Sequence, residues 1–181
     1  MTQQSQAGSW ADELCELWHR IERHNFEPDQ PLNFTRRFVN HTGWTLDTAR
    51  AVIGEYRRFC FLAAATSEPV TPSEEVDEVW HFHLTYTSDY WDVWCRTVLD
   101  RSFHHHPTRG QADQDSGFRA HYATTLARYE RFFGPPPAEF WPPTHIRFGK
   151  SSRLRTIDVQ RWFVLPRPSM MWRLISTRRQ R

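Results

Sequence analysis

Five of the ten histidines lie between residues 81 and 106, and they form two groups. The first group is His81 and His83, and the second is the run of three at residues 104–106. Asp77 precedes His81 by four positions. Imidazole is the commonest side-chain metal ligand, and a carboxylate can complete such a site or orient the imidazole. The pattern therefore predicts a metal site built from both groups.

The spacing within the first group limits what it can do. On a helix, Asp77 and His81 are neighbours on one face, because they are four residues apart. His83 is rotated about 200° from His81 and falls on the apolar stripe with Trp80 and Tyr90. His83 is therefore either a buried, hydrogen-bonded histidine or a ligand presented by a locally distorted helix.

The second group follows a predicted helix that starts at Pro72 and runs to about Leu99. Along a straight helix, His104 and His105 would end roughly 30 Å from His81. The two groups can meet only if the helix kinks or ends early, and the polar run at residues 85–89 is where such a break fits. Otherwise the second group is an exposed loop, and Asp77 with His81 is a solvated ion pair.

Capping residues and apolar periodicity predict the helices that carry these groups. Ser9 would cap a first helix, Thr45 a long one, and Thr71 would form a capping box with Glu74. Further helices contain Phe34 and Phe38, ending near residue 43, and residues 118–133, ending at Gly134. Residues 141–148 and 158–165 would form short extended segments. The predicted fold is an all-α bundle of four to five helices with an irregular, basic C-terminal extension.

Charge divides the chain into two parts. Among the 181 residues, 147–181 carry a net charge of +9 and the rest carry −7. The sequence predicts an aromatic-rich helical domain at residues 1–146 and a basic extension at residues 147–181. The extension would contact a polyanion, meaning nucleic acid or an anionic membrane, or an acidic protein; alternatively it would fold onto the acidic domain.

Other function classes find little support in the sequence. There is no apolar stretch long enough for a transmembrane segment, no basic and apolar leader, and no CxxC pair among the three cysteines. No HExxH motif, nucleophile elbow or glycine-rich phosphate loop occurs. We therefore expect a cytoplasmic protein.

The run VDEVWHFH at residues 76–83, followed by Tyr90, Trp91 and the histidines before Pro107, resembles the glycine-rich domain-containing protein-like family. The resemblance covers roughly residues 34–165. The chain has no glycine-rich segment, so it resembles a minimal, bacterial-type member. The resemblance implies a helical domain without an assigned reaction and with a recurrent set of Asp77, His81, His83, His104 and His105.

Two functions follow from these observations. In the first, Asp77, His81 and either His104 or His105 bind a divalent metal, zinc or iron, and an open ligand position supports hydrolysis or oxidation by an enzyme. In the second, the Asp and His side chains only join helices by hydrogen bonds. The protein is then a non-catalytic interaction or scaffold module that acts through its basic tail.

Overall fold

The structure is a computed structural model, which describes residues 11–26, 33–105 and 112–149. These residues form helices and connecting loops without any strand, so the predicted all-α class is confirmed. The helices are α1 (Asp12–Arg23), α2 (Phe34–Thr42), α3 (Leu46–Ala65), α4 (Glu74–Leu84), a π-helix (Asp89–Val98), α5 (Ala112–Phe133) and α6 (Thr144–Arg147).

Helix α3 is the centre of the bundle and packs against α1, α2, α4 and α5. Its apolar positions recur at steps of three and four, as expected for a helix with several partners. The side chains of α3 with no exposed surface are Ala49, Val52, Tyr56, Phe59, Cys60, Phe61 and Leu62. Burial of aromatic rings therefore supplies much of the stability of this core.

Several predicted helix ends are confirmed by their capping geometry. The Thr45 hydroxyl accepts a hydrogen bond from the Thr48 N–H at 3.1 Å and caps α3. Gly43, with φ of 72°, ends α2, and Gly134, with φ of 81°, ends α5. Both glycines adopt the left-handed conformation that favours glycine after a helix.

The predicted cap of α4, Thr71, was wrong by two residues. The cap is Ser73, whose hydroxyl accepts from the Val76 N–H at 3.2 Å. Pro72 therefore lies ahead of the helix and outside its first turn. The Thr71 N–H instead donates to the Thr125 hydroxyl at 3.0 Å. The predicted cap Ser9 lies outside the described residues, and α1 begins at Asp12.

The single helix predicted to reach Leu99 is two helices in the structure. Helix α4 ends at Leu84, and the π-helix begins at Asp89 after the polar run, where the sequence allowed a break. The Leu99 N–H donates to the Trp94 carbonyl at 2.8 Å, five residues earlier, which is the π-helical pattern. Beyond it, Asp100 has a positive φ of 53°, and the chain turns back.

The C-terminal predictions are only partly covered by the described residues. Residues 141–148 contain the short helix α6, so the prediction of an extended segment there was wrong. Prolines at 142 and 143 precede the helix, and α6 begins at the next residue. Residues 158–165 and most of the basic extension lie outside the described part of the chain. Within the described part, no helix has the length and apolarity needed to cross a membrane.

A buried carboxylate joins α3 to the C-terminal part of the domain. Glu55 is only 4% exposed. One of its oxygens, Oε2, accepts hydrogen bonds from the Tyr129 hydroxyl at 2.7 Å and from the Trp141 indole N–H at 2.9 Å. The other oxygen, Oε1, accepts from the Arg58 guanidinium. Burial, followed by the neighbouring Glu55, raises the pKa of Tyr129, so its hydroxyl stays protonated and donates.

We expect Glu55→Ala to lower the free energy of unfolding by about 3 kcal/mol or more. The substitution leaves the Tyr129 hydroxyl, the Trp141 indole N–H and the Arg58 guanidinium without their acceptor. Tyr129→Phe removes one of these hydrogen bonds and should cost about 1 kcal/mol. Urea denaturation would measure both, with the exposed Glu16→Ala as a control of near wild-type stability. A Glu55→Ala variant as stable as this control would contradict the assigned role.

Candidate metal centre

The structure brings together Asp77, His81 and His105. Nε2 of His105 lies 3.1 Å from Oδ1 of Asp77, and Nδ1 of His81 lies 3.8 Å from Oδ2 of the same carboxylate. The two imidazole rings are 4.3 Å apart between centroids. One donor atom from each side chain lies within 4.8 Å of the other two. We call these three residues the pocket cluster.

The pocket cluster forms because α4 ends early and the chain returns alongside it. The Phe103 ring stacks on the Trp80 indole, with centroids 4.3 Å apart and planes 6° apart. The His105 ring then meets the same indole edge to face at 4.7 Å. Since Trp80 directly precedes His81 in the sequence, this stacking places His105 beside the polar face of α4.

Tyr90 fixes the returning segment by two hydrogen bonds. Its hydroxyl accepts from the Trp80 indole N–H at 2.8 Å and donates to the Phe103 carbonyl. Burial raises the pKa of Tyr90, so the hydroxyl remains a donor at any ordinary pH. The π-helix thus contributes one side chain that connects α4 with the segment carrying His105.

The pocket cluster lies in the wall of an open pocket of about 910 Å³. Its members differ in exposure: the side chains of His81, Asp77 and His105 are 50%, 26% and 15% exposed. Trp80 and Phe103 supply apolar wall, and Arg101 and Arg147 also line the pocket. A pocket of this volume is in the range that binds small organic molecules.

His104 does not join the pocket cluster as a third imidazole donor. Its ring packs against the Trp91 indole at 5.1 Å, although its side chain lines the same pocket. The sequence had left the choice between His104 and His105 open. Of the two, His105 is the residue whose ring nitrogen lies beside the Asp77 carboxylate.

His83 belongs to a second group on the opposite side of α4. Its ring is fully buried, with Nδ1 2.9 Å from the Tyr56 hydroxyl and Nε2 2.8 Å from Oδ2 of Asp89. The same Asp89 oxygen lies 3.3 Å from Nε2 of His24, at the end of α1. We call His24, His83 and Asp89 the sealed cluster.

Burial and charge set the protonation of the sealed cluster. Burial lowers the pKa of His83, and Asp89 only partly opposes this shift, so the imidazole is held neutral. Partial burial of Asp89 disfavours its ionised form, but hydrogen bonds from His24 and His83 outweigh this effect and lower its pKa. The cluster thus pairs an ionised carboxylate with a neutral imidazole.

Sequence reasoning missed His24 and Asp89. Asp89 lies in the polar run that was considered only as the place of a break. Tyr90 was assigned to the apolar stripe, and its hydroxyl has hydrogen-bond partners at Trp80 and Phe103. His24 lies on another helix, so no spacing rule connects it with His83. The sequence did contain one indication of a second cluster. His81 and His83 are two residues apart and therefore lie on different faces of α4, so each needs its own partners.

We expect Tyr90→Phe to lower the free energy of unfolding by about 1–3 kcal/mol, because the Trp80 indole and the Phe103 carbonyl both lose their partner. Backbone hydrogen exchange should accelerate between residues 103 and 105 more than in α5, which Tyr90 does not contact through these bonds. Unchanged exchange at residues 103–105 in Tyr90→Phe would argue against the role of the hydroxyl.

Comparison with known proteins finds one relationship. No curated protein and no solved structure matches the chain significantly. The model of one family, described as UCP032817-like, matches residues 18–132, which include both clusters. Because this match covers more than half of the chain, the protein belongs to the UCP032817-like family.

Proposed function

We propose that the pocket cluster binds a divalent metal ion. The observation that supports this proposal is the convergence of three donor groups, Asp77, His81 and His105, within 4.8 Å of one another. Ligand atoms about 2.1 Å from one ion are separated by roughly 3.0–3.5 Å in tetrahedral or octahedral geometry. Nε2 of His105 lies 3.1 Å from Oδ1 of Asp77, and Nδ1 of His81 lies 3.8 Å from its other oxygen, Oδ2; both distances are close to this range.

The donor set favours zinc or iron over magnesium or calcium. Two imidazoles and one carboxylate suit Zn²⁺ and Fe²⁺, whereas the alkaline-earth ions prefer oxygen ligands only. Three protein ligands leave at least one coordination position for water or substrate. Because His81 and Asp77 line the pocket, the remaining positions of the ion would face the pocket volume.

A metal in this position would make the domain a metal-dependent enzyme acting on a small molecule. The ion would polarise a bound oxygen or lower the pKa of a bound water, as hydrolysis requires. If the ion is Fe²⁺, it would instead bind an oxidant. The stacked rings of Trp80 and Phe103 offer an apolar surface beside the ion. These features favour a partly apolar organic substrate.

The alternative is an interaction module in which the same side chains only connect helices. Its partner contacts were expected from the basic extension at residues 147–181, of which only residues 147–149 are described. Of these, Arg147 forms an ion pair with Glu74 at 3.1 Å, so the extension begins in contact with the domain. Cytoplasmic localisation and the relation to the glycine-rich domain-containing protein-like family stay predictions.

We expect the full-length protein, purified without a histidine tag, to bind Zn²⁺ at the pocket cluster. His105→Ala and Asp77→Asn should each weaken this binding by at least about 100-fold, because the first removes a ligand and the second replaces the carboxylate with a neutral amide. Elemental analysis after dialysis and calorimetric titration with Zn²⁺ would measure the effect. His19→Ala, which removes an exposed histidine on α1, is the matched control and should bind as the wild type does.

Circular dichroism should show that the ligand variants remain folded, since all three side chains are at least partly exposed. The proposal fails if the wild-type protein binds neither Zn²⁺ nor Fe²⁺. It also fails if these substitutions leave the affinity for the ion unchanged.

An open ligand position can be tested with Co²⁺ in place of the native metal. Azide should alter the visible absorption of the Co²⁺ complex, because a three-ligand site accepts an external anion. His105→Ala should abolish this response. A spectrum that azide does not alter would show that the site is closed and would argue against catalysis there.

A further inference from the structure

We propose that the sealed cluster, His24, His83 and Asp89, is a second metal site, which binds Zn²⁺ and serves a structural role. The inference does not depend on the proposed function, because it concerns the opposite side of α4 and shares no residue with the pocket cluster. It does concern the same class of ion, so the two sites must be separated by experiment.

The donor geometry of the sealed cluster is tighter than that of the pocket cluster. Both imidazoles direct Nε2 toward the same carboxylate oxygen of Asp89, at 2.8 Å for His83 and 3.3 Å for His24. One donor from each residue lies within 4.8 Å of the other two. The distances of 2.8 and 3.3 Å from the two imidazoles to the carboxylate oxygen are close to the roughly 3.0–3.5 Å that separates ligand atoms around one ion.

The surroundings of His83 match those of a metal-binding imidazole. Its second nitrogen, Nδ1, lies 2.9 Å from the Tyr56 hydroxyl, and ligating histidines commonly hold their other ring nitrogen in such a hydrogen bond. The rings of Phe26, Tyr90 and Trp94 enclose the imidazole with centroids 4.9–5.7 Å away. This enclosure fixes the orientation of the ring and holds Nε2 toward Asp89.

His24 is held in place through its backbone. The Arg57 guanidinium donates to the His24 carbonyl at 2.7 Å and also to the Ile21 carbonyl, near the end of α1. The His24 ring packs edge to face on Phe26 at 4.7 Å. The His24 imidazole is therefore oriented before any ion binds, which lowers the entropy cost of binding.

The exposure pattern indicates a largely buried site with one access path. The side chains of His83 and His24 are 0% and 6% exposed, whereas that of Asp89 is 34% exposed. An ion would enter past Asp89, and a water molecule on that side would complete its coordination. None of these three residues lines the pocket beside the pocket cluster, so the ion would join helices and its role would be structural.

Bound Zn²⁺ would connect three elements that are far apart in the sequence: the end of α1, the last turn of α4 and the first turn of the π-helix. An ion that binds the folded state and not the unfolded state stabilises the fold. The sealed cluster would therefore act as a metal-dependent clamp across the break between α4 and the π-helix.

The test counts Zn²⁺ equivalents in the full-length protein by calorimetric titration and elemental analysis. We expect two equivalents in the wild type, one in His105→Ala, one in Asp89→Asn and none in the double variant. Asp89→Asn retains an oxygen that accepts hydrogen bonds, so it should preserve the fold while weakening Zn²⁺ binding at this site by at least about 100-fold. His24→Gln is the second variant of the same site, and His19→Ala is the control.

A second readout is the melting temperature. In the His105→Ala background, saturating Zn²⁺ should raise it by several degrees, and adding Asp89→Asn should remove this increase. The inference is overturned if folded His105→Ala binds no Zn²⁺, a result that requires no substitution within the sealed cluster. It is also overturned if Asp89→Asn and His24→Gln both bind Zn²⁺ as the wild type does.

The two proposals fail in different ways. One equivalent that persists in His105→Ala and disappears in Asp89→Asn would support the sealed site and refute the pocket site. One equivalent with the opposite behaviour would refute the sealed site, and its three residues would then be a hydrogen-bonded connection between helices.

Discussion

The hydroxyl of Tyr90 connects the two parts of the chain that form the pocket cluster. It accepts from the Trp80 indole on α4 and donates to the Phe103 carbonyl on the returning segment. Both bonds are shielded by the stacked rings of Trp80 and Phe103, where a hydrogen bond is stronger than in water and a missing one costs more. This connection anchors the segment that carries His105 beside α4.

A two-residue spacing gives α4 two different chemical faces. His81 and His83 are about 200° apart around the helix. His81 meets Asp77 on the same helix and His105 on the returning segment, whereas His83 meets Asp89 and His24. On the first face the imidazole is half exposed and lines a pocket, whereas on the second it is fully buried among aromatic rings. One short motif therefore provides one imidazole in contact with solvent and another enclosed in the core.

The parts of the fold that could be predicted are those that depend on local interactions. Thr45 and Gly134 mark helix ends because a capping hydroxyl and a left-handed glycine act within a few residues. The π-helix could not be predicted, because its apolar residues also fit the period of an ordinary helix and the extra residue per turn leaves no clear sequence signal. Asp77 and His81 followed from their spacing, but pairing His24 with His83 required the tertiary packing of α1.

The two clusters are joined by residues at the break that separates α4 from the π-helix. The contact between His83 and Asp89 spans this break, and Tyr90, the next residue, holds the segment that delivers His105. The aromatic packing that encloses His83 is thus also part of what positions His105.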